Sequence, residues 1–261
     1  MNKQERADFR EIVEPVLLNS GFIRKYSSYF RFDLKNLWLV DIHPSSRKDF
    51  DVYYEFFPLT YPIGLSRIKQ ASQVNYCPII GRYSGRRLPN HEASIDNFQQ
   101  ARIAIERFLS EDLSRVSSIQ RAVEFREEFD RKLVDDSFPY YPTNEGFYQV
   151  LSYAYVEDYK NAIRVAEEMI ARSIAHQDAL KRNIAEYERY RIKSRSKDVF
   201  DAAIKSSQRK ILYAQSEIDE LQSIIQQLNA NEIENIRAMA EKNIEISLSV
   251  IHECFKCGNS S

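Results

Sequence analysis

The sequence predicts an α+β protein that is mostly helical. A small antiparallel sheet with a packed helix comes first, and a helical domain with a long antiparallel coiled-coil hairpin follows. Three observations predict this. From Phe147 to Lys256 the chain has no glycine and no proline, a run of about 110 residues, and these two residues are the strongest local breakers of regular structure. All eight prolines lie at or before Pro142. The segment before residue 93 is instead dense in aromatic strand formers separated by short turns.

The elements follow in order. Phe9, Ile12, Val13, Val16 and Leu17 share one helical face, with Pro15 placed to kink it and Gly21 where a left-handed C-cap is expected. Tyr26, Tyr29, Phe30 and Phe32 then read as a strand or hairpin, with Ser27-Ser28 and Leu34-Lys35-Asn36 as turns. Leu37 to Ile42 reads as a buried strand broken by His43-Pro44-Ser45-Ser46. Phe50 to Phe57 is a further strand ended by Pro58. Residues 60–93 are irregular. Ser94 is placed to cap a helix through Ile95, Phe98, Ile105 and Phe108, and a second helical pattern runs from Leu113 to Leu133. Ser137 to Pro142 interrupts the pattern. The chain therefore divides into a small α+β domain (1–93), connecting helices (94–142) and a helical domain (143–261) whose hairpin arms cover about 158–193 and 197–229.

The hairpin rests on two heptad runs. Ile204, Ile211, Ile218 and Ile225 recur every seven residues, with Ser207, Ala214, Leu221 and Leu228 three positions later. Upstream, Ile163, Ile170, Gln177 and Ile184 recur likewise, with Ala166, Ser173, Leu180 and Tyr187 as companions. Reversal around Arg195-Ser196 sets Ile163 against Leu228, Ile170 against Leu221, Gln177 against Ala214 and Ile184 against Ser207. Most layers then match a large residue with a smaller one, as dense packing prefers. The turn falls on the polar tetrapeptide Ser194 to Lys197. The alternative, a parallel dimer of continuous helices, gives that polar segment no role. A third helix from Asn231, with Ile233, Ile236, Met239, Ala240, Ile244 and Leu248, is expected to fold back and cover part of the hairpin.

Composition bounds the function. Lys plus Arg number 37 and Asp plus Glu 38, so no global field favours nucleic acid or membrane and any electrostatic partner must meet a local patch. The N-terminal residues lack the apolar core of a signal peptide, and no apolar run approaches a bilayer span of about 20 residues. Cys77, Cys254 and Cys257 are too few for a disulfide framework. The expected location is cytoplasmic.

Two local patches carry candidate chemistry. Gly81-Arg82-Tyr83-Ser84-Gly85-Arg86-Arg87 offers backbone amides and three guanidinium groups to an anion, without the Gly-Lys-Ser/Thr of a phosphate loop; its plainer reading is a solvated turn. The predicted hairpin tip gathers Lys181, Arg182, Arg189, Arg191, Lys193, Arg195 and Lys197 around Tyr187 and Tyr190, with Glu186, Glu188 and Asp198 as the acids. Cations interleaved with aromatics contact phosphates and stack on bases, whereas a solvated charge run serves only solubility. Cys254-Phe-Lys-Cys257 with His252 is half a zinc site, since structural zinc needs four ligands, so no metal is expected.

The first helix, Gly21-Phe22, the aromatic run Tyr29-Phe30-Arg31 and strands ending in Phe57-Pro58-Leu59 together resemble a bacterial domain family of unknown function, over about residues 5–90. Its members share the order helix, Gly-Phe, aromatic hairpin, sheet, and some are similar to immunity components of toxin systems. The resemblance carries no catalytic residue onto this chain, and the long helical region departs from the minimal domain. The expected function is therefore a non-enzymatic, immunity-like protein-binding module of a bacterial conflict system that occludes a toxin or effector. Nucleic-acid binding through the basic tip is a second reading, and an enzyme without a recognisable motif a third. Tyr83, Arg86, Arg87, Tyr190, Arg191, Lys193, Arg195 and Lys197 are the expected partner-binding residues. No cofactor is expected, and the chain is expected to be a monomer or homodimer.

Overall fold

The computed structural model describes residues 2–25, 28–33, 36–44, 49–62, 77–79, 91–135, 144–193 and 197–256. They form two compact units, Met1–Pro139 with Glu241–Ser261 and Tyr140–Ala240.

The first unit opens with α1 (Lys3–Ile12) and α2 (Glu14–Asn19). Asn2 starts α1 with a capping box: its Oδ1 accepts the Glu5 amide at 2.9 Å, while its own amide donates to the Glu5 carboxylate. Pro15 acts as expected. The helix breaks at Val13 and restarts, with the proline in the first turn of α2, where its missing N–H costs nothing. Gly21 also does what its position predicts. It sits at φ +82°, its amide donates to the Leu18 carbonyl, and the Phe22 amide donates to the Leu17 carbonyl. This is a Schellman end, and the hydrophobic contact that accompanies it comes from buried Leu17 and Phe22.

Four strands form the main sheet: β1 (Ile23–Lys25), β2 (Ser28–Asp33), β3 (Asn36–Pro44) and β4 (Asp49–Pro58). They pair in order as an antiparallel meander, and the two-residue strands β5 (Cys77–Pro78) and β6 (His91–Glu92) both pair with β4. β3 runs two residues past its expected end, so that Pro44 still stands opposite Phe50.

Alternation along the strands makes two apolar faces. Trp38, Val40 and Ile42 of β3 share a face with Phe50, Val52, Tyr54 and Phe56 of β4. Against this face pack Phe9, Val13 and Leu17, then α3 (Ile95–Glu111) through Phe98, Ile105 and Phe108, and α4 (Ile119–Asp135) through Ala122 and Phe125. Trp38 sits at the centre, 4.6 Å from the Phe56 ring and edge-on to Phe108 at 5.6 Å. Ser94 caps α3 as expected, its Oγ accepting the Asn97 amide. The second helical pattern is divided by a 3-10 turn at Leu113–Arg115. Arg126 of α4 is fully buried. It donates to the Phe56 carbonyl and lies over the Phe57 and Tyr61 rings at 5.4 and 5.2 Å.

The opposite face carries Phe30, Leu37, Leu39 and Phe57, and its cover corrects an expectation. The last helix, α8 (Glu234–Lys256), belongs with the hairpin's unit only as far as Ala240, where Ile236 and Ala240 are buried; from Glu241 onward, including Ile244 and Leu248 of the stripe expected on the hairpin, it belongs to the sheet unit. Ile244, Leu248 and Ile251 pack on this face, and Ser247 Oγ donates to the Tyr61 carbonyl. An apolar helical stripe specifies that it is buried, not what it is buried against.

The second unit contains α5 (Asn144–Tyr155), α6 (Tyr159–Lys193) and α7 (Lys197–Asn229). With no glycine available inside the long run, its corners use Glu157 and Asn231, at φ +64° and +59°. Both corners repeat the double hydrogen bond of the Gly21 turn: Glu157 and Asp158 donate to Ala154 and Tyr153, and Asn231 and Glu232 to Leu228 and Gln227. The predicted hairpin is present. α6 and α7 have 35 and 33 residues, each about 50 Å long at 1.5 Å per residue. Ala166, Ser173, Gln177 and Leu180 are buried against Ser207, Ala214, Ile218, Leu221 and Leu228, which is the heptad seam read from sequence.

Gly21→Ala should lower the unfolding free energy by about 1 kcal/mol in a urea titration, because nothing lies within 4 Å of the added Cβ and backbone strain alone acts. An unchanged midpoint would mean that the left-handed turn is not what ends α2.

Candidate protein interface at the hairpin tip

The seam loosens toward the turn. Its middle layers are polar: Ser173 Oγ donates to Glu217 Oε2 at 2.7 Å, and Gln177 Nε2 to Gln215 Oε1 at 3.1 Å. Beyond Leu180, none of the described residues 181–192 or 197–206 is fully buried. Two helices crossing alone share one seam and leave every other face in water.

Aromatic packing closes the last described turn. The Phe200 ring lies 6.4 Å from Tyr187 and stacks on Tyr190 at 6.3 Å and 29°. The Tyr190 hydroxyl donates to Glu186, and Arg191 Nε meets Asp201 Oδ1 at 2.6 Å. Lys181 similarly reaches back to Asp178 at 3.2 Å. These bridges join exposed side chains, which places each at no more than about 1 kcal/mol.

Two aliphatic side chains find no such place. Ile192 is 81% exposed at the end of α6 and Val199 is 66% exposed at the start of α7. Tyr190, 53% exposed, presents the rest of its ring beside them in sequence. Leu212 and Tyr213, farther along α7, are comparably exposed at 71% and 77%.

The expected partner-binding residues separate accordingly. Tyr190, Arg191 and Lys197 are brought to this end of the hairpin and are exposed, with Arg191 engaged by Asp201. Lys193 is the last residue of α6, and its side chain lies outside the described residues. Arg195 and the whole Tyr83, Arg86 and Arg87 loop also lie outside them, as does Cys257. Among the described residues no group of three His, Cys, Asp or Glu side chains is arranged to hold a metal ion.

Sequence reasoning missed Ile192, Val199, Phe200 and Asp201. The available signal was position: Ile192 and Val199 fall outside the a and d places of their own heptads, beside a polar turn, where no apolar residue is required. Asp178 and Asp201 join Glu186, Glu188 and Asp198, so the tip is less basic than its cations alone suggest. Between residues 178 and 201 seven cations meet five acids.

Most described aromatic side chains of the sheet are not available to a partner. Tyr29, Phe30, Trp38, Tyr54, Phe56 and Phe57 are all buried. Its second face also carries a polar row in which Ser28 Oγ donates to Asp41 Oδ1 at 2.9 Å. Beside it Tyr53 is half-buried, and its phenol is pushed up to about 12, first by burial, then by the charge of Asp51 and a hydrogen bond to it. Tyr29 shifts in the same direction through burial and the Glu14 carboxylate.

A raised phenol favours the neutral ring in the folded state. Its stabilising effect is complete below the ordinary value of 10 and is lost as pH rises toward 12. Stability measured by urea unfolding should therefore fall between about pH 10 and 12, and Tyr53→Phe should reduce that loss. An identical pH profile for Tyr53→Phe would contradict the assignment. Comparison with protein-family models, with curated proteins and with solved structures finds no match to this chain.

Proposed function

We propose that this chain is a non-enzymatic protein-binding module, immunity-like, that occludes a toxin or effector in a bacterial conflict system from within the cytoplasm. The hairpin tip is its working surface. The observation that carries the reading is the outward presentation of Ile192, Val199 and Tyr190 on two paired helices. Protein interfaces concentrate their energy in a few such apolar and aromatic anchors, and a frame that is already folded loses little entropy on binding. The seam that a coiled coil would use for dimerisation is satisfied within one chain, which supports a monomer as the binding form.

Nucleic-acid binding is disfavoured by the same geometry. Stacking on bases needs open aromatic faces, and Tyr187 is half-buried beside Phe200 while Tyr190 has one face against Phe200. Two aliphatic groups among the cations have no counterpart on a phosphate backbone. No helix among the described residues is long and apolar enough to cross a membrane.

The test is co-expression with the products of adjacent genes, followed by purification of any stoichiometric complex and an assay of whether the chain suppresses the partner's toxicity. The double variant Ile192→Asp, Val199→Asp should weaken that complex at least about 100-fold with unchanged helical content. Recovery of no stoichiometric protein partner would sink the reading.

A further inference from the structure

We infer that the sheet unit holds a buried water molecule between the side chains of Asn36 and Trp38, on the helix-covered face of β3. Both residues are 0% exposed. Asn36 Nδ2 and Oδ1 and Trp38 Nε1 nevertheless meet no hydrogen-bond partner among the described residues. The two residues are two places apart on one strand. Alternation therefore puts both side chains on the face that carries Val40 and Ile42.

The β2–β3 turn does not account for the Asn36 amide. The turn uses the Asn36 backbone N–H, which donates to Asp33 Oδ1 at 3.1 Å, and any residue except proline supplies that group. An apolar residue at this place would simply continue the stripe of Trp38, Val40 and Ile42. The indole is no better served. The rings of Phe56, Phe108 and Phe125 lie 4.6, 5.6 and 5.8 Å from it and offer no oxygen or nitrogen acceptor. A buried polar atom that exchanges water for nothing costs more than a typical hydrogen bond contributes, and here there are three such atoms.

The mixture of donors and acceptor selects the occupant. The indole N–H and the amide NH2 donate, whereas the amide oxygen accepts. A water accepts from both donors and returns a hydrogen to Oδ1, and buried waters characteristically make about three such bonds. A chloride ion would leave Oδ1 unmet. A metal ion would meet Oδ1 and be repelled by the N–H groups. Held in this place, the water ties the turn end of β3 to the indole at the centre of the core and fixes its orientation beneath α3 and α4.

Trp38 is the only tryptophan, so its indole N–H gives one NMR resonance in the full chain without ambiguity. Water-selective NOE and ROE spectra of the 15N-labelled protein should show a cross-peak from water to this proton, with the opposite signs of a long-lived bound water. Tyr54→Phe removes the phenol hydroxyl of a ring 6.1 Å away and should leave the cross-peak in place. Asn36→Leu should abolish it and shift the indole proton upfield, because the water loses two of its three partners. Preserved dispersion of the remaining amide signals shows that a variant is folded, and the wild-type spectrum decides even where a variant is not. No cross-peak in the wild type overturns the inference. Its loss in Tyr54→Phe shows relay through the hydroxyl and does the same. A cross-peak unchanged in Asn36→Leu overturns the shared site, and one that fades as chloride is added overturns water in favour of the anion.

Discussion

The seam between α6 and α7 is the constraint on which the second unit depends. Each helix carries an apolar stripe that water disfavours, and the two pack on each other. Pairing the two removes both stripes at once. Burial of a residue such as Leu221 is worth about 2–3 kcal/mol, against at most about 1 for an exposed bridge such as that of Arg191 with Asp201. The apolar layers hold the hairpin, and the ion pairs trim its register. The polar layers at Ser173 and Gln177 add little energy but penalise slippage, since a shifted register buries their side chains without partners.

The same constraint accounts for the tip. Once the seam takes every residue that points inward, an apolar residue elsewhere on the outer half has no internal use. Phe200 is drawn into the aromatic closure with Tyr187 and Tyr190, whereas Ile192 and Val199 remain in water.

The hairpin was legible because a seven-residue repeat constrains both the period and, with a polar turn, the register. Local signals were equally plain at Gly21, Pro15 and Ser94, where one backbone requirement selects one residue type. Three features were not legible. The apolar stripe of α8 did not reveal that Ile244, Leu248 and Ile251 face the sheet, because periodicity names a face and not its partner. Arg126 read as a surface charge on an amphipathic helix, and only tertiary packing sets it beneath the end of β4. The tip tyrosines read as open stacking platforms until Phe200, across the turn, was placed against them. In each case the missing information was a contact between segments far apart or on opposite arms.

Cysteine cross-linking across the seam tests the central claim most directly. With Cys77, Cys254 and Cys257 replaced by serine, Gln177→Cys and Gln215→Cys stand where the two glutamine side chains meet at 3.1 Å. Mild oxidation at low protein concentration should give a monomeric product of altered gel mobility, formed at a rate independent of concentration. A product that is only dimeric, forming faster as protein concentration rises, would show that the long helices pair between chains and would contradict the self-folded hairpin.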